Sequence, residues 1–219
     1  MIEKIRISLW DVFTFFLTGL LAATTFLFLM IFSGGTSFRE VAAISLKSPS
    51  WMVLVVGPVM LTLGGMLLEP VANYADRYVL KYVLGWATRV NSPGLKREEG
   101  ILEREIKNNY LGRIGGEIDN PYHICKDYVE HKQLSSTFMV FLSRYGFYRN
   151  CSFITICAGV AYFFLSDSIV VGSIFLLSAI IVSIVFRRRA QEFYSYQAPS
   201  VYRAYLIDKL DWRVKDNGE

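Results

Sequence analysis

Four long apolar stretches divide this chain of 219 residues, and nearly all of its basic residues lie on one side of them. The stretches are residues 9–32, 51–68, 151–165 and 169–186, and each is nearly free of charge. A helix of about 20 apolar residues crosses the roughly 30 Å hydrocarbon core of a bilayer. The pattern therefore predicts an all-α polytopic membrane protein with four transmembrane helices arranged as two hairpins.

The distribution of Lys and Arg predicts the orientation of these helices. Of the 23 basic residues, only Arg39 and Lys47 lie in the two connections that would face outward. Short cytoplasmic loops carry an excess of basic residues, so the polar region and both termini are predicted to be cytoplasmic. This is typical of a multi-pass protein of the bacterial inner membrane. The first stretch is too long for the core of a cleaved signal peptide and is expected to remain as an anchor.

The same boundaries predict the domain organisation. We expect a first transmembrane hairpin, a cytoplasmic helical region, a second transmembrane hairpin and a cytoplasmic amphipathic tail, at residues 1–68, 69–150, 151–186 and 187–219 respectively.

Local signals refine this layout at three places. Residues 36–50 are predicted to form a short outer loop. The amphipathic segment after Glu69 either extends the second membrane helix or turns at Pro70 to lie along the membrane surface. Asn120 and Pro121 form a helix start signal, and that helix is expected to run on into the third membrane helix.

Composition excludes several classes of function. Residues 69–150 hold 12 Lys and Arg against 10 Asp and Glu, so direct binding of nucleic acid is not expected. The three cysteines and two histidines do not match a metal-ligand spacing. Phosphate-binding loops, nucleophile elbows and zinc-protease motifs are missing from the sequence. We therefore predict no catalytic residue, no cofactor and no metal.

One polar face keeps an enzymatic alternative open. His123, Asp127 and His131 are spaced four residues apart and would share one face of a helix. Such a face could supply acid–base groups to an enzyme that acts on lipid. Solvent-exposed helices commonly carry polar faces of this kind, so the structural interpretation is favoured.

Charged residues at the ends of the apolar stretches are predicted to lie at the membrane interface. Glu69 is expected either to mark the boundary alone or to pair with a basic residue of another helix, Arg144 or Arg149. A charge deep in lipid is costly, so these groups should lie near the surface. The predicted interface charges are Asp11, Glu69, Arg144, Arg149, Arg187, Arg188 and Arg189.

Small residues predict where helices approach one another. Gly19, Gly57, Gly64 and Gly65 would let helix backbones come close, within one chain or between subunits. Gly57 and Gly64 are seven residues apart and share a face. Threonines such as Thr18 and Thr62 could line an oligomeric pore, although a hydroxyl can equally bond to its own helix backbone.

Aromatic residues in the cytoplasmic region predict a docking surface. Exposed tyrosines are common anchors of protein interfaces. The candidates for binding a soluble partner are Tyr74, Tyr78, Tyr82 and Tyr128.

Three segments carry a resemblance to a known family: WDVFTFFLTGLL at the start, GGMLLEP at the end of the second apolar stretch, and RYGFYRNCSF at the entry to the third. In layout the chain resembles the membrane subunit of the Kiwa anti-phage defence system. The resemblance implies a membrane sensor that forms a homo-oligomer and holds a cytoplasmic DNA-binding partner.

Together these features predict a non-enzymatic inner-membrane sensor or scaffold. It would lie in the lipid bilayer, form a homo-oligomer and recruit a soluble cytoplasmic protein, in an antiviral defence setting. An oligomeric pore or membrane-disrupting effector is the first alternative, and a lipid-acting enzyme is the second.

Overall fold

The structure, a computed structural model, describes residues 9–47, 49, 51–80, 82, 85, 93–111, 117–132, 134 and 136–210. Regular secondary structure in this part of the chain is helical, so the predicted all-α class is confirmed. The α-helices of the described residues are α1 Leu9–Phe32, α2 Phe38–Lys47, α3 Gly57–Ala75, α4 Pro93–Glu105, α5 Tyr122–His131, α6 Ser136–Leu165, α7 Ile169–Ser195 and α8 Gln197–Lys209.

Helix α1 crosses α3 at two glycines. A Cβ atom on Gly19 would collide with the backbone carbonyl of Leu61, and one on Gly65 would collide with that of Phe15. Residue 19 thus faces 61 and residue 15 faces 65, so the two helices are antiparallel. Only glycine allows helix backbones to approach this closely, and such packing is what holds helices together in lipid.

Helix α3 is extended at both ends by wider π-helical turns, Met52–Val56 and Asp76–Leu80. Pro58 lies in the first turn of α3 and has no amide proton for the carbonyl four residues earlier, and the first π turn lies directly before it. The helix continues through Pro70. Of the two predicted courses after Glu69, the structure therefore has the extended helix and not a turn along the surface.

The connection predicted to be a loop contains a helix, α2. The Ser37 amide donates to Glu40 Oε2 at 2.9 Å, and the Glu40 amide donates to Ser37 Oγ at 3.2 Å. This reciprocal capping box satisfies two amides that the first turn of a helix leaves free. The bond from the Ser37 amide also holds the pKa of Glu40 below its usual value. The S-F-R-E sequence carries this signal, which the loop prediction missed.

Helices α6 and α7 are an antiparallel pair joined by residues 166–168. From the connection inwards, Gly172 lies against Phe163 and Gly159 lies against Ala179. Further along, a hydrogen bond of 2.6 Å joins Ser152 Oγ and Ser183 Oγ. The contacts therefore run in opposite directions along the two helices.

Three helical segments of the described chain are long and apolar enough to cross a membrane: Val12–Phe32, Leu54–Leu80 and Ile169–Lys209. The last of these comprises α7 and α8. The third predicted stretch, residues 151–165 in α6, is not among them. As a helix, these 15 residues span about 22 Å, which is less than the roughly 30 Å of the hydrocarbon core. Four spans therefore remain a prediction.

The chain forms two compact units. Unit 1 comprises Met1–Arg89 and Ser143–Gln191, and unit 2 comprises Val90–Leu142 and Glu192–Glu219. These bounds differ from those predicted for a cytoplasmic region at 69–150. Residues 69–80 belong to unit 1, as do residues 187–191 of the predicted tail, and the described tail from Glu192 onwards belongs to unit 2.

Unit 2 has a core that the tail helps to build. Helix α8 packs on α4 and α5, and burial raises the pKa of the Cys125 thiol to about 11. The tail supplies half of the buried side chains, because helix α8 turns one face inward. The core residues are Ile106, Cys125, Val129, Phe138, Val201, Tyr202, Tyr205 and Leu206.

The helix expected to run from Asn120 into the third apolar stretch is two helices. Its start is as predicted in kind, because the Asn120 side chain accepts the Tyr122 amide at 2.9 Å. Helix α5 then ends at His131, where the Lys132 amide donates to the Tyr128 carbonyl at 3.0 Å. Helix α6 begins at Ser136. No proline marks this break, so the sequence pattern did not indicate it.

Candidate functional site

The last turns of α3 place three polar side chains on one helix face. Glu69, Asn73 and Asp76 are spaced by four and three residues, which is the spacing of neighbours on a helix surface. Arg149 of α6 contacts two of them: its Nη1 donates to Asn73 Oδ1 at 3.1 Å, and its Nη2 lies 3.4 Å from Glu69 Oε1. Of the two arginines predicted as partners of Glu69, the structure pairs Arg149 with it.

The second ion pair was not predicted. Arg187 of α7 places Nη2 3.1 Å from Asp76 Oδ1, and its side chain is only 4% exposed. Its Nε and Nη1 have no hydrogen-bond partner within the described part of the chain. The sequence interpretation had placed Arg187 with Arg188 and Arg189 at the membrane surface. The interface placement stays a prediction, and the structure adds that Arg187 lies on the face of α7 that packs inward, whereas Arg188 and Arg189 are exposed.

We call Glu69, Asn73, Asp76, Arg149 and Arg187 the charge cluster. It joins α3 to α6 and α7 inside unit 1, with two acids against two bases. Desolvation of a charge costs several kcal/mol, so each buried arginine requires its acid. Asp76 lies seven residues after Glu69 and thus on the same helix face, which is the signal that could have indicated the second pair.

The charge cluster lies where apolar stretches end. Glu69 follows the apolar part of α3, Arg149 precedes that of α6, and Arg187 follows that of α7. In the register in which residue 19 faces 61, position 11 of α1 lies at the level of position 69. The side chain of Asp11 lies outside the described residues. Three helices thus change from apolar to charged at one level.

Two serines extend the polar contact deeper between α6 and α7. Ser183 Oγ lies 2.6 Å from Ser152 Oγ and donates to the Ser152 carbonyl at 3.1 Å. Both side chains are buried, as is Asn150. Hydrogen bonds of this kind join helices within lipid, so the pair helps to hold α6 on α7.

A cavity of about 460 Å³ opens between α1, α6 and α7. Its walls are mostly apolar, with Phe28, Phe32 and Phe175 contributing aromatic surface and Tyr162, Thr25 and Ser178 contributing hydroxyls. Its lining, among the residues that the structure describes, includes no carboxylate, amine, imidazole or thiol.

Thr18 and Thr62, predicted to line an oligomeric pore, and Ser178 of α7 make contacts within one chain. The Thr62 hydroxyl donates to the Pro58 carbonyl of its own helix at 2.8 Å, and the Ser178 hydroxyl donates to the Ile174 carbonyl at 2.9 Å. Thr18 is fully buried next to the crossing of α1 and α3. These hydroxyls therefore satisfy helix backbone or lie between helices.

The four predicted glycines divide into two pairs. Gly19 and Gly65 lie at the crossing of α1 and α3, as described above. An added Cβ on Gly57 or Gly64 would meet nothing within 4 Å. Among the described residues, the face that Gly57 and Gly64 share is consequently not the face on which α3 meets another helix.

Three of the predicted docking tyrosines are exposed. Tyr74, Tyr78 and Tyr82 are 67%, 53% and 80% exposed. The rings of Tyr74 and Tyr78 lie 4.6 Å apart, and the Arg77 guanidinium lies over the Tyr78 ring at 5.6 Å. Tyr74 lies in α3 and Tyr78 in the π turn after it, and Tyr82 follows them in the sequence.

Tyr128 has an internal role instead. Its hydroxyl donates to Asp208 Oδ2 at 2.6 Å, and its ring packs on Tyr205 in unit 2. Lys132 Nζ also lies 2.9 Å from Asp208 Oδ2. The bond from Tyr128 lowers the pKa of Asp208, and the bonds to Tyr128 and Asp208 raise the pKa of Lys132. The half-buried Tyr128 is therefore engaged in contacts within unit 2.

Two further predicted groups lie on surfaces. His123, Asp127 and His131 occupy the exposed face of α5, and Arg144 is exposed on α6. Among the residues that the structure describes, no group of three His, Cys, Asp or Glu side chains is arranged to hold a metal ion.

No protein-family model matches the chain, and neither a curated protein nor a solved structure shows detectable similarity to it.

Proposed function

We propose that this chain is a non-enzymatic membrane scaffold that forms an oligomer and recruits a soluble cytoplasmic protein. The observation that carries the proposal is the exposure of Tyr74, Tyr78 and Tyr82, which follow the last apolar turn of α3 in the sequence. Large aromatic side chains outside the hydrocarbon region are typical anchors of protein interfaces.

In this proposal four helices cross the membrane and both termini are cytoplasmic. The fourth span is the apolar part of α6, paired with α7 as a hairpin. Its support is the common level of Glu69, Arg149 and Arg187, together with the residues 166–168, which contain no Lys or Arg. Aromatic residues before Arg149 lie where an interfacial belt is expected.

The charge cluster favours a structural role over a catalytic one. Glu69 pairs with Arg149 and Asp76 pairs with Arg187, so both acids are engaged in holding helices together. An acid or base in catalysis needs access to a substrate. The separate core of unit 2 supports the idea that a folded module is anchored at the membrane.

The setting that we propose is the bacterial inner membrane, in an anti-phage system. The layout resembling the Kiwa membrane subunit supports this setting, and a sensor that holds a soluble effector would need the arrangement described above. The alternatives, a pore and a lipid-acting enzyme, have no specific support from the side chains assigned to them.

Purification of the full chain from membranes in mild detergent, with native mass determination, tests the proposal. We expect an oligomer that carries a soluble partner. Tyr82→Glu should release that partner while the amount of protein in the membrane is unchanged, since a buried charge at an interface is strongly unfavourable. Asn108→Glu, which adds the same charge at an exposed position of unit 2, is the matched control.

Other outcomes redirect the proposal. Retention of the partner by Tyr82→Glu would remove this tyrosine from the docking face. An oligomer without any partner would contradict the scaffold and favour the pore, which conductance across lipid bilayers would then measure.

A further inference from the structure

Helix α2 is fixed to the end of α1 by local hydrogen bonds. The chain reverses at Gly34, which has a φ of 72°, and the Gly35 amide donates to the Met30 carbonyl at 3.0 Å. A left-handed residue followed by such a bond is a common way for a helix to end. The capping box then begins α2, and the Thr36 hydroxyl donates to Glu40 Oε2 at 3.0 Å. The corner between α1 and α2 is therefore closed by its own residues.

Both ends of α2 are tied to segments that can cross a membrane. The segment before α2 and the segment after it are each long and apolar enough to do so. Five residues separate Phe32, the last of α1, from Phe38, and four separate Lys47 from Met52, where the π turn before α3 begins. An extended residue spans at most about 3.6 Å. These short connections keep α2 at the level where the two apolar segments end.

Helix α2 has one apolar side and one polar side. By the spacing of a helix, Phe38 shares a side with the apolar residues three, four and eight positions after it. Arg39, Ala43 and Lys47 are four residues apart and follow the other side, next to Glu40. An apolar side opposite a side with basic residues is typical of helices that lie in the plane of a membrane surface.

The apolar side of α2 requires a cover. Its ten residues are fewer than the roughly 12–15 at which an isolated helix becomes marginally stable in water. A helix of this length therefore needs contacts on its apolar side. Phe38 is 72% exposed, and Trp51, four residues after the end of α2, is 64% exposed. The part of the chain that the structure describes leaves both of these aromatic side chains largely uncovered.

The lipid headgroup layer is the cover that lies within reach. This layer is about 5–8 Å thick on each side of the hydrocarbon core, and tryptophan is enriched in it. Because the connections hold α2 at this level, lipid is always next to its apolar side. Phe38 and Trp51 can then enter the layer at the two ends of α2. Arg39 and Lys47 have long side chains whose charged ends reach phosphate groups or water.

We propose that α2 binds the membrane surface, lying in its plane with the apolar side in the lipid headgroup layer. Phe38 and Trp51 anchor the two ends, and Arg39 and Lys47 face the phosphates and water. In the orientation proposed above, the surface is that of the outer leaflet. The inference uses only the two segments that flank α2, so it does not depend on the docking tyrosines or on the oligomer.

Quenching of a fluorescent label on α2 tests the proposal. The exposed Cys157 is replaced by alanine, whereas Cys125 and Cys151 are buried and are kept. Phe38→Cys places the label on the apolar side, and Ala43→Cys places it about 140° around the helix. The full chain is reconstituted in vesicles of phosphatidylcholine and phosphatidylglycerol. Brominated acyl chains are the quencher in lipid, and iodide on both sides of the membrane is the quencher in water.

Three further labelled chains serve as controls. Leu67→Cys, in the apolar part of α3, gives the signal of a label in lipid, and Asn108→Cys, on the exposed surface of unit 2, gives that of a label in water. The chain with Cys157→Ala alone defines the background from the buried cysteines. Positions 38 and 43 are both exposed in the chain itself, so only a cover from outside the chain can distinguish them.

We expect brominated lipid to quench the label at position 38 several-fold more strongly than the label at position 43, and iodide to give the opposite order. Equal quenching of the two positions by either quencher overturns the proposal, because α2 would then lie in water. Protection of position 38 from both quenchers also overturns it, because a protein surface would then cover the apolar side in place of lipid.

Discussion

Units 1 and 2 differ in the kinds of side chain that they bury and expose. Unit 1 exposes large apolar side chains such as Phe26 and Leu54 and buries Arg187, Ser152 and Ser183. Unit 2 buries an apolar and aromatic core around Tyr202 and keeps its ion pairs on the surface. The difference follows from the solvent, because lipid accepts apolar surface and water accepts charge. Unit 1 therefore buries polar side chains that unit 2 leaves on its surface.

The ion pairs of the two units also differ in how much they contribute to the free energy of unfolding. The pair of Arg187 and Asp76 is largely removed from solvent, whereas that of Arg203 and Glu98 in unit 2 is exposed. Exposed pairs contribute about 0–1 kcal/mol. Removing one partner of a buried pair costs about 3–5 kcal/mol, since the remaining charge is left uncompensated.

The largest effect is accordingly expected for Arg187→Ala. The free energy of unfolding, measured by titration with SDS from a mild detergent, should fall by about 3–4 kcal/mol. Arg203→Ala in unit 2 is the matched control and should change it by less than about 1 kcal/mol. Similar losses in the two variants would contradict the contrast between the units.

The second largest effect is expected for glycine substitutions, which distinguish a close helix contact in unit 1 from an open helix surface in unit 2. Gly65→Leu places side-chain atoms against the Phe15 carbonyl and should destabilise unit 1 by about 3 kcal/mol. Gly100→Leu, in α4 of unit 2, meets open space and should stabilise its helix by about 0.5–1 kcal/mol. The same SDS titration measures the free energy of unfolding of both variants. A destabilised Gly100→Leu would show that α4 has a neighbour at this position.

The smallest effect concerns acid stability of unit 2. The pKa of Asp208 is held below its usual 3.8, chiefly by the Tyr128 hydroxyl. Because the folded pKa is the lower one, the stabilisation is present above pH 3.8 and is lost as the pH falls through the folded value. In Tyr128→Phe the folded pKa of Asp208 should lie closer to 3.8, so the stabilisation should be smaller and its loss complete at a higher pH.

Near-ultraviolet circular dichroism during acid titration measures that shift. Tyr82→Phe, at an exposed tyrosine of unit 1, is the control and should titrate like the wild type. An unchanged acid midpoint in Tyr128→Phe would mean that the bond to Asp208 does not contribute to unit 2.

Patterns that depend on one helix were predictable. The apolar stretches and the Asn120 start signal follow from local spacing, whereas the course of α3 past Glu69 was left between an extended helix and a turn at Pro70. The sequence left Arg144 and Arg149 as alternative partners of Glu69. It indicates which charged residues end each apolar stretch, but it does not indicate which helices are neighbours.

Features that depend on the rotation of a packed helix were missed. Arg187, Arg188 and Arg189 are equivalent in sequence, yet packing of α7 turns only Arg187 inward. Tyr128 resembles Tyr78 in sequence, but α8 covers it and supplies Asp208. The break between α5 and α6 and the capped helix α2 also lie outside what apolar periodicity indicates.

Hydrophobicity and charge along the chain determined the all-α class and the helices that are long and apolar enough to cross a membrane. They also determined the positions at which charged residues replace apolar ones. Each of these is a property of a single segment in a given solvent. Only the tertiary structure decided that Gly65 rather than Gly64 meets α1, that Asp76 holds Arg187, and that the tail completes the core of unit 2. These outcomes depend on the angle at which each helix faces its neighbours. That angle is set by packing between segments distant in sequence.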